Sequence, residues 1–281
     1  MSKRGWLLFL AMGVIWGVPY LFIRVAVSAL DPVVVAFGRT LVGAMLLLPV
    51  AAHRGLLEPV LPHWRWLIVF TLVEISVPWL MLGHAETRLN SSTTGLLLAI
   101  VPLIAAIVVT KLGHDRLDTR RMLGLGIGLA GVAALVGLDI DLSDLAAVGA
   151  VAICAVGYAT GPIIIDRKLK GVPPLGVVAG SLLLAAVLYA PFAWLKWPPH
   201  STWPAWGSVA TLGVVCTTLA FILFFALIAE VGPARATVIT YINPVVAIAL
   251  GVALLNETLT VGMAIGFPLV IAGSVLGTAR K

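Results

Sequence analysis

Residues 99–117, AIVPLIAAIVVTKLGHDRL, and residues 241–259, YINPVVAIALGVALLNETL, carry one pattern at an offset of 142 residues. Pro102 meets Pro244, Asp115 meets Glu257 and Leu117 meets Leu259. The same offset, without a gap, pairs Pro32 with Pro174, Gly38 with Gly180, Pro49 with Pro191, Pro62 with Pro204 and Trp64 with Trp206. Downstream it pairs Gly124 with Gly266 and Ala130-Gly131 with Ala272-Gly273. A proline removes a donor from a helix and clashes with the preceding turn, so matched breaks at matched depths are not a compositional accident. The chain therefore reads as two related halves, residues 1–138 and 143–281.

Composition sets the solvent of those halves. Apolar residues make up 61% of the chain and charged ones 11%, against about 25% charged in ordinary soluble domains. No soluble fold hides that much apolar surface, so the solvent is lipid. A crossing helix needs about 20 apolar residues. Ten runs qualify: 5–28, 33–51, 67–86, 92–112, 121–138, 145–166, 174–195, 205–229, 234–255 and 260–278. Lys3 and Arg4 before the first run resemble a secretory leader. That run is longer than the roughly 7–15 apolar residues of a leader, and it has a counterpart later in the chain, so it reads as a permanent helix. The connections are short and marked by Asp31-Pro32, Pro173-Pro174, Gly232-Pro233 and Asn256-Glu257. Backbone cannot face lipid unpaired, so helix and tight turn are expected throughout.

Charge fixes the expected orientation. With the N-terminus in the cytoplasm, 14 of the 18 Lys and Arg fall on the cytoplasmic side, among them Arg167, Lys168 and Lys170. Arg24, Arg88 and Lys196 lie on the other side, with the acids of Leu138-Asp139-Ile140-Asp141. The net charge of +6 is thus a topology signal and no sign of nucleic acid. Each half holds five runs, an odd number, so the second enters the membrane upside down. The expected fold is an all-α membrane protein of ten transmembrane helices in two inverted five-helix repeats, with both termini cytoplasmic. Such repeats give two states of similar energy, each open to one side, which is the basis of alternating access. The plainer alternative is a duplication that only builds a stable bundle.

These features resemble the EamA branch of the drug/metabolite transporter superfamily. The likeness rests on the ten runs in two halves, Trp16-Gly17 in the first run, Arg39 in the second and a Pro–acid–Leu–Gly pattern in each half. In the second half the pattern is Asn243-Pro244, Asn256-Glu257-Thr258-Leu259-Thr260, Gly266 and Ala272-Gly273. The first half departs from it at Asp115-Arg116-Leu117, where the family usually has Glu, but the charge is kept. The resemblance covers nearly the whole chain. It implies an exporter of metabolites or amino acids in a bacterial inner membrane.

Two ionisable groups lie deep in the runs, where such groups are costly and usually functional. Glu74 is about 12 Å from the cytoplasmic edge at 1.5 Å per residue. It is a candidate proton-coupling carboxylate or partner for a substrate amine; the alternative is a neutral or paired carboxyl that holds helices together. Arg39 is roughly 9 Å from the other edge, suited to a substrate carboxylate or to backbone carbonyls. Asn243 and Thr217, with Thr218, share the depth of Glu74, beside helix breaks expected at Pro78, Pro102 and Pro244. They could line a cavity or bond between helices. Trp16, Tyr20, Trp79, Tyr158 and Tyr241 could form its aromatic wall, suited to apolar or cationic groups, or could simply pack. Trp6, Trp64, Trp66, Trp194, Trp197, Trp203 and Trp206 read as interface anchors.

Other classes fare worse. The five histidines, His53, His63, His84, His114 and His200, are scattered without metal-ligand spacing. The cluster His114-Asp115-Arg116-Leu117-Asp118 reads as a solvated turn. Cys154 and Cys216 are isolated in apolar runs, so neither a disulfide nor a metal framework is expected. No cofactor, metal or ATP motif is implied, and the energy source is a proton gradient or the substrate's own. Expected partners are a small-molecule substrate, membrane lipid and protons. The glycines of residues 124–128 and of Gly262, Gly266, Gly273 and Gly277 could form a homodimer face or pack within a monomer. The rival functions are a lipid or polyprenyl-carrier flippase of the same superfamily, a membrane-embedded enzyme and a structural subunit. A lateral groove open to lipid would mark the first.

Overall fold

A computed structural model describes residues 2–112, 119–232 and 236–278. Among the described residues every regular element is helical. The sequence sets many of the starts. Ser2 accepts from Gly5 N at the head of α1 (Lys3–Ile15). Asp31 accepts from Val33 N and is followed by a proline at the head of α3 (Pro32–His53). Asn90 accepts from Thr93 N at the head of α6 (Ser91–Leu98). A short polar side chain before the first turn satisfies a donor that the helix cannot.

Eight helical stretches are long and apolar enough to cross a membrane. Several are built from two pieces. The first joins α1 to α2 (Pro19–Val27); the third runs through α4 (Trp64–Phe70) to α5 (Val77–Glu86); the fourth joins α6 to α7 (Val101–Lys111). The fifth to seventh are α8 (Thr119–Asp139), α9 (Leu145–Lys168) and α10 (Pro174–Leu195), and the eighth runs through α11 (Trp203–Gly213) to α12 (Ala220–Val231). Two shorter apolar helices follow, Ile239–Leu255 and Val261–Leu276, which contain α13 (Asn243–Leu255) and most of α14 (Val261–Thr278). They occupy the place of the last two runs expected from sequence. The turn at 113–118, with its His114–Asp118 cluster, and Pro233 lie outside the described residues.

Large apolar side chains such as Leu7, Met45, Val187 and Val261 stand exposed along the helices, as a lipid solvent requires. Trp194 and Trp203 project at helix ends, 81% and 89% exposed, where tryptophans anchor to headgroups.

Most breaks in the helices fall beside a proline, which lacks a donor. Pro19 follows the non-helical Trp16–Val18 segment, and Pro102 follows the tight turn at Ala99–Ile100. The third and eighth stretches each contain a π-helical turn, Thr71–Ser76 and Val214–Leu219. Pro78 explains the first by withholding its N–H from the preceding turn. In the second, Thr218 Oγ1 donates to Gly213 O, five residues back, at 2.9 Å.

The halves pack on each other in a reciprocal way. The first stretch meets the eighth (α2 on α11) and the third meets the sixth (α5 on α9). The second meets the seventh (α3 on α10), the fourth meets the ninth helix (α6 on α13), and α8 lies along α14. Exchanging the halves returns the same set of pairs. The reciprocity reaches single residues: Gly38 packs on Val209, and Gly180 packs on Leu67, each partner being the other's image 142 residues on. Gly131 approaches Gly266 O, and Gly273 approaches Gly124 O. Gly128, Gly131, Gly266 and Gly273 therefore serve packing within the chain.

That last contact is backbone against backbone. A Cβ on Gly131 would stand 2.8 Å from Val270 N and 2.9 Å from Gly266 O. Gly131→Ala is expected to destabilise by about 1–3 kcal/mol, as overpacking does. In a thermal-shift assay this should read as a fall of roughly 2–10 °C. Gly126→Ala on the same helix, which nothing approaches within 4 Å, should leave the midpoint unmoved.

Candidate functional site

Arg39 lies at the centre of the packed halves, only 6% exposed. It is carried on α3 and held from two sides. Its guanidinium carbon lies 3.6 Å from the centroid of Trp79 on α5. Its Nε donates to Thr217 Oγ1 at 2.9 Å, in the π-helical turn of the eighth stretch. Stacking on an aromatic face with a fixed Nε bond orients the planar fork. Among the described residues Nε is the one guanidinium nitrogen with a hydrogen-bond partner. Tyr20, Tyr158, Tyr189 and Cys216 stand within electrostatic reach of it. The second and seventh stretches thus contribute to the centre, through Arg39 and Tyr189.

Glu74 enters from the first π-helical turn. One of its carboxylate oxygens, Oε2, is buried without a hydrogen-bond partner. The carboxyl lies over Gly161 on α9, in the space a side chain would need there. One turn earlier Gly157 admits Val73 O and Pro78 in the same way. Two glycines four residues apart on α9 let the π-helical turn approach and bring the carboxyl into the interior. Glu74 and Arg39 do not form an ion pair among the described residues. Tyr158 and Cys154 lie within electrostatic reach of both.

The remaining candidates divide. Tyr20 is buried and packs on Gly95 of α6. With Trp79, Tyr158 and Thr217 it belongs to the Arg39 cluster. Trp16 does not. It stands against Phe224 at 4.5 Å and edge-on to Phe221 at 6.1 Å, in the separate apolar cluster around α12. The amide of Asn243, oriented with its nitrogen toward two carbonyls, donates to Gly13 O at 3.2 Å and Ile239 O at 3.1 Å. It satisfies the acceptor released by the break at Trp16–Val18. Tyr241 donates to Ser274 O at 3.2 Å, and Ser274 Oγ donates to Ala99 O at 3.0 Å, at the break before Pro102. Tyr189 donates to Ser76 O in the π-helical turn. The bonds from Asn243 to Gly13, from Ser274 to Ala99 and from Tyr189 to Ser76 reach from the second half to broken ladders in the first, and Tyr241 steadies Ser274 within the second. Pro78, Pro102 and Pro244 all sit in the first turn of a resumed helix.

A third buried ionisable group was missed by sequence reasoning. Glu86, the last residue of α5, is fully buried, and neither carboxylate oxygen has a hydrogen-bond partner. The nearby Arg24 gives its Nη1 to the backbone oxygen of Glu86, leaving the carboxylate untouched. Close by, the Glu257 carboxylate clamps the head of α6. Oε1 accepts from Ser91 N at 2.8 Å and Ser91 Oγ at 2.9 Å, and Oε2 from Ser92 N at 3.0 Å and Ser92 Oγ. Asn256 takes a left-handed backbone (φ 54°), which turns the chain so that Glu257 points back at α6. At the same end Asp139 of α8 accepts from Thr260 Oγ1 and from Gly262 N at 3.1 Å. The signal for the clamp is the polar run Asn90–Thr94 at the start of an apolar helix.

A family model described as "EamA-like transporter family" matches residues 3–137 and again residues 145–278. The chain is 29% identical over 283 residues to the Escherichia coli K12 protein named "Uncharacterized inner membrane transporter YedA", covering 96% of this chain and 89% of that one. It is 23% identical to a "Probable terminal-alkyne amino-acid exporter" of Streptantibioticus cattleyicolor, over 99% of this chain and 92% of the relative. A solved crystal structure superposes with a TM-score of 0.70 at 23% identity, covering 99% of this chain and 98% of that chain, so the fold is shared.

Proposed function

Because the chain belongs to the EamA-like transporter family, which matches it twice over nearly its full length, we propose that it is a secondary transporter of small zwitterionic metabolites such as amino acids. It works by alternating access in a bacterial inner membrane, as an exporter with both termini in the cytoplasm. The observation that carries the reading is Arg39: a buried guanidinium, oriented by Trp79 and Thr217, with the end of its fork left for a ligand. A planar fork in a dry site is the preferred partner of a carboxylate. Glu74, reaching the same core from the other half of the π-helical pair, takes the substrate's amine or, in its absence, a proton. The aromatic wall of Tyr20, Trp79 and Tyr158 surrounds the substrate between them. The reciprocal packing of the halves and the two π-helical turns support a pair of inverted five-helix repeats, with Ile239–Leu255 and Val261–Leu276 as the ninth and tenth crossings.

Uptake of a labelled amino-acid and small-metabolite panel into proteoliposomes tests this. Glu74→Gln keeps the shape and removes the charge. It is expected to lower uptake of amine-bearing substrates by at least tenfold, the order of one charged hydrogen bond or more, and to spare carboxylates that lack an amine. Equal loss for both kinds would make Glu74 a structural group. Failure of every water-soluble substrate, with movement of labelled lipid, would replace the reading by the flippase.

A further inference from the structure

We infer that Glu86 is a second proton-carrying carboxyl of the transport cycle, sealed by the Glu257 clamp and loaded from the outer solution when that clamp opens. The inference rests on the transport reading and its orientation, and adds a coupling residue to it.

The argument starts from an imbalance. Glu86 and Glu257 are neighbours at one end of the bundle, yet their surroundings are opposite. Glu257 has four donors, two of them backbone N–H groups at a helix start, which is how a charged carboxylate is held. Glu86 has none. A carboxylate anion with no donor and no exposure is among the most costly groups a fold can hold, and it persists by taking a proton. Among the described residues, none of the charged or titratable groups that face it bonds to its carboxylate. Arg24 on α2 spends a donor on the Glu86 backbone. Tyr20 on α2 and Cys154 on α9 are near but carry no positive charge, and Arg39 on α3, held through Nε by Thr217 and stacked on Trp79, makes no bond to it. Glu257 presents like charge.

Position supplies the second line. Glu86 is five residues before Ser91, the residue the clamp grips. The clamp joins the two halves of the chain, and so does the neighbouring bond of Asp139 to Gly262 N. Separating the halves at this end breaks those bonds and hydrates Glu86, which can then exchange its proton with outer water. Tyr20 lies within electrostatic reach of Glu86 and of Cys154, and Cys154 and Tyr158 lie within reach of Glu74. Proton-bearing groups thus connect the clamped end to the substrate site.

The test separates coupling from transport. The full chain in proteoliposomes is assayed with a mixture of radiolabelled L-amino acids in two modes, counterflow without a gradient and accumulation driven by an imposed pH gradient. Glu86→Gln, which mimics the protonated acid, is expected to keep counterflow near the wild-type rate and to lose gradient-driven accumulation at least ~10-fold. Glu86→Asp should keep part of it. Dicyclohexylcarbodiimide, which reacts with protonated carboxyls in apolar surroundings, should add its mass to the Glu86 peptide of the wild type, a readout that does not depend on a variant folding. Accumulation by Glu86→Gln equal to wild type, wild-type counterflow with no response to the gradient, or an unlabelled Glu86 peptide would each overturn the inference while leaving transport intact. Absence of wild-type counterflow for the whole panel would instead remove the transport reading beneath it.

Discussion

Arg39→Lys is expected to reduce uptake of carboxylate substrates on the order of a hundredfold, through affinity, while the protein still folds. The guanidinium does three things at once: it lies flat on Trp79, donates Nε to Thr217, and offers the rest of its fork. An ammonium on a flexible stem keeps the charge but cannot stack in a plane and bond on two sides. A desolvated cation–π contact is worth about 2 kcal/mol and a charged hydrogen bond about 1.5–3, so losing the oriented fork removes about 3 kcal/mol. The same change should leave the melting temperature within a few degrees of wild type, because Thr217 can turn its hydroxyl to the backbone. Concentration-dependent uptake gives the answer. An unchanged KM with a collapsed melting temperature would mean that Arg39 is only a brace between helices.

Glu257→Ala should produce the largest loss of stability. It leaves the N–H groups of Ser91 and Ser92 and both hydroxyls without an acceptor at the head of a helix all of whose residues are buried. Unpairing several buried donors in one step costs roughly 3–5 kcal/mol, or on the order of 10 °C in melting temperature. Glu257→Gln retains one acceptor oxygen and should fall between. Because the clamp joins the halves at one end only, both variants should also make a cysteine placed at Thr94 react faster with a membrane-impermeant thiol reagent added outside. A melting temperature and a labelling rate equal to wild type would show that the four bonds contribute nothing.

Much of the architecture could be read before any coordinates. Apolar runs located the helices and Pro78, Pro102 and Pro244 marked resumed helices, because lipid demands unbroken hydrogen bonding and proline cannot supply it; the matched Pro49 and Pro191 instead lie inside unbroken helices, and the break before Pro19 was not expected. Arg39 and Glu74 stood out because charges in apolar runs are rare. Other features depend on tertiary placement. Glu86 ends its run, where sequence reads an acid as facing water, yet it is buried, with Arg24 on its backbone oxygen. Trp16 and Trp79 lie at comparable depth in their runs, yet one faces Phe221 and Phe224 and the other carries Arg39. The π-helical turns are invisible to hydropathy, since one extra residue in a turn changes direction without changing composition. Asn243, equally a candidate for site or brace in the sequence, spends its amide on Gly13 and Ile239.

The reciprocal contacts between the halves have a consequence for what the protein can recognise. A pocket whose two walls were identical would present the same surface to both ends of a solute and could not tell which way round it lay. Here many shared positions are glycines and prolines, with an acid kept at Asp115 and Glu257, while the central polar groups have lost their images. Arg39 corresponds to Ser181, Glu74 to Cys216, Glu86 to Ile228 and Tyr20 to Pro162. In the proposed transporter, likeness would be kept where the halves slide past each other and difference would lie where a molecule with a head and a tail is gripped. The duplicated frame would then supply the motion, and the divergence of the copies would give the cargo its direction.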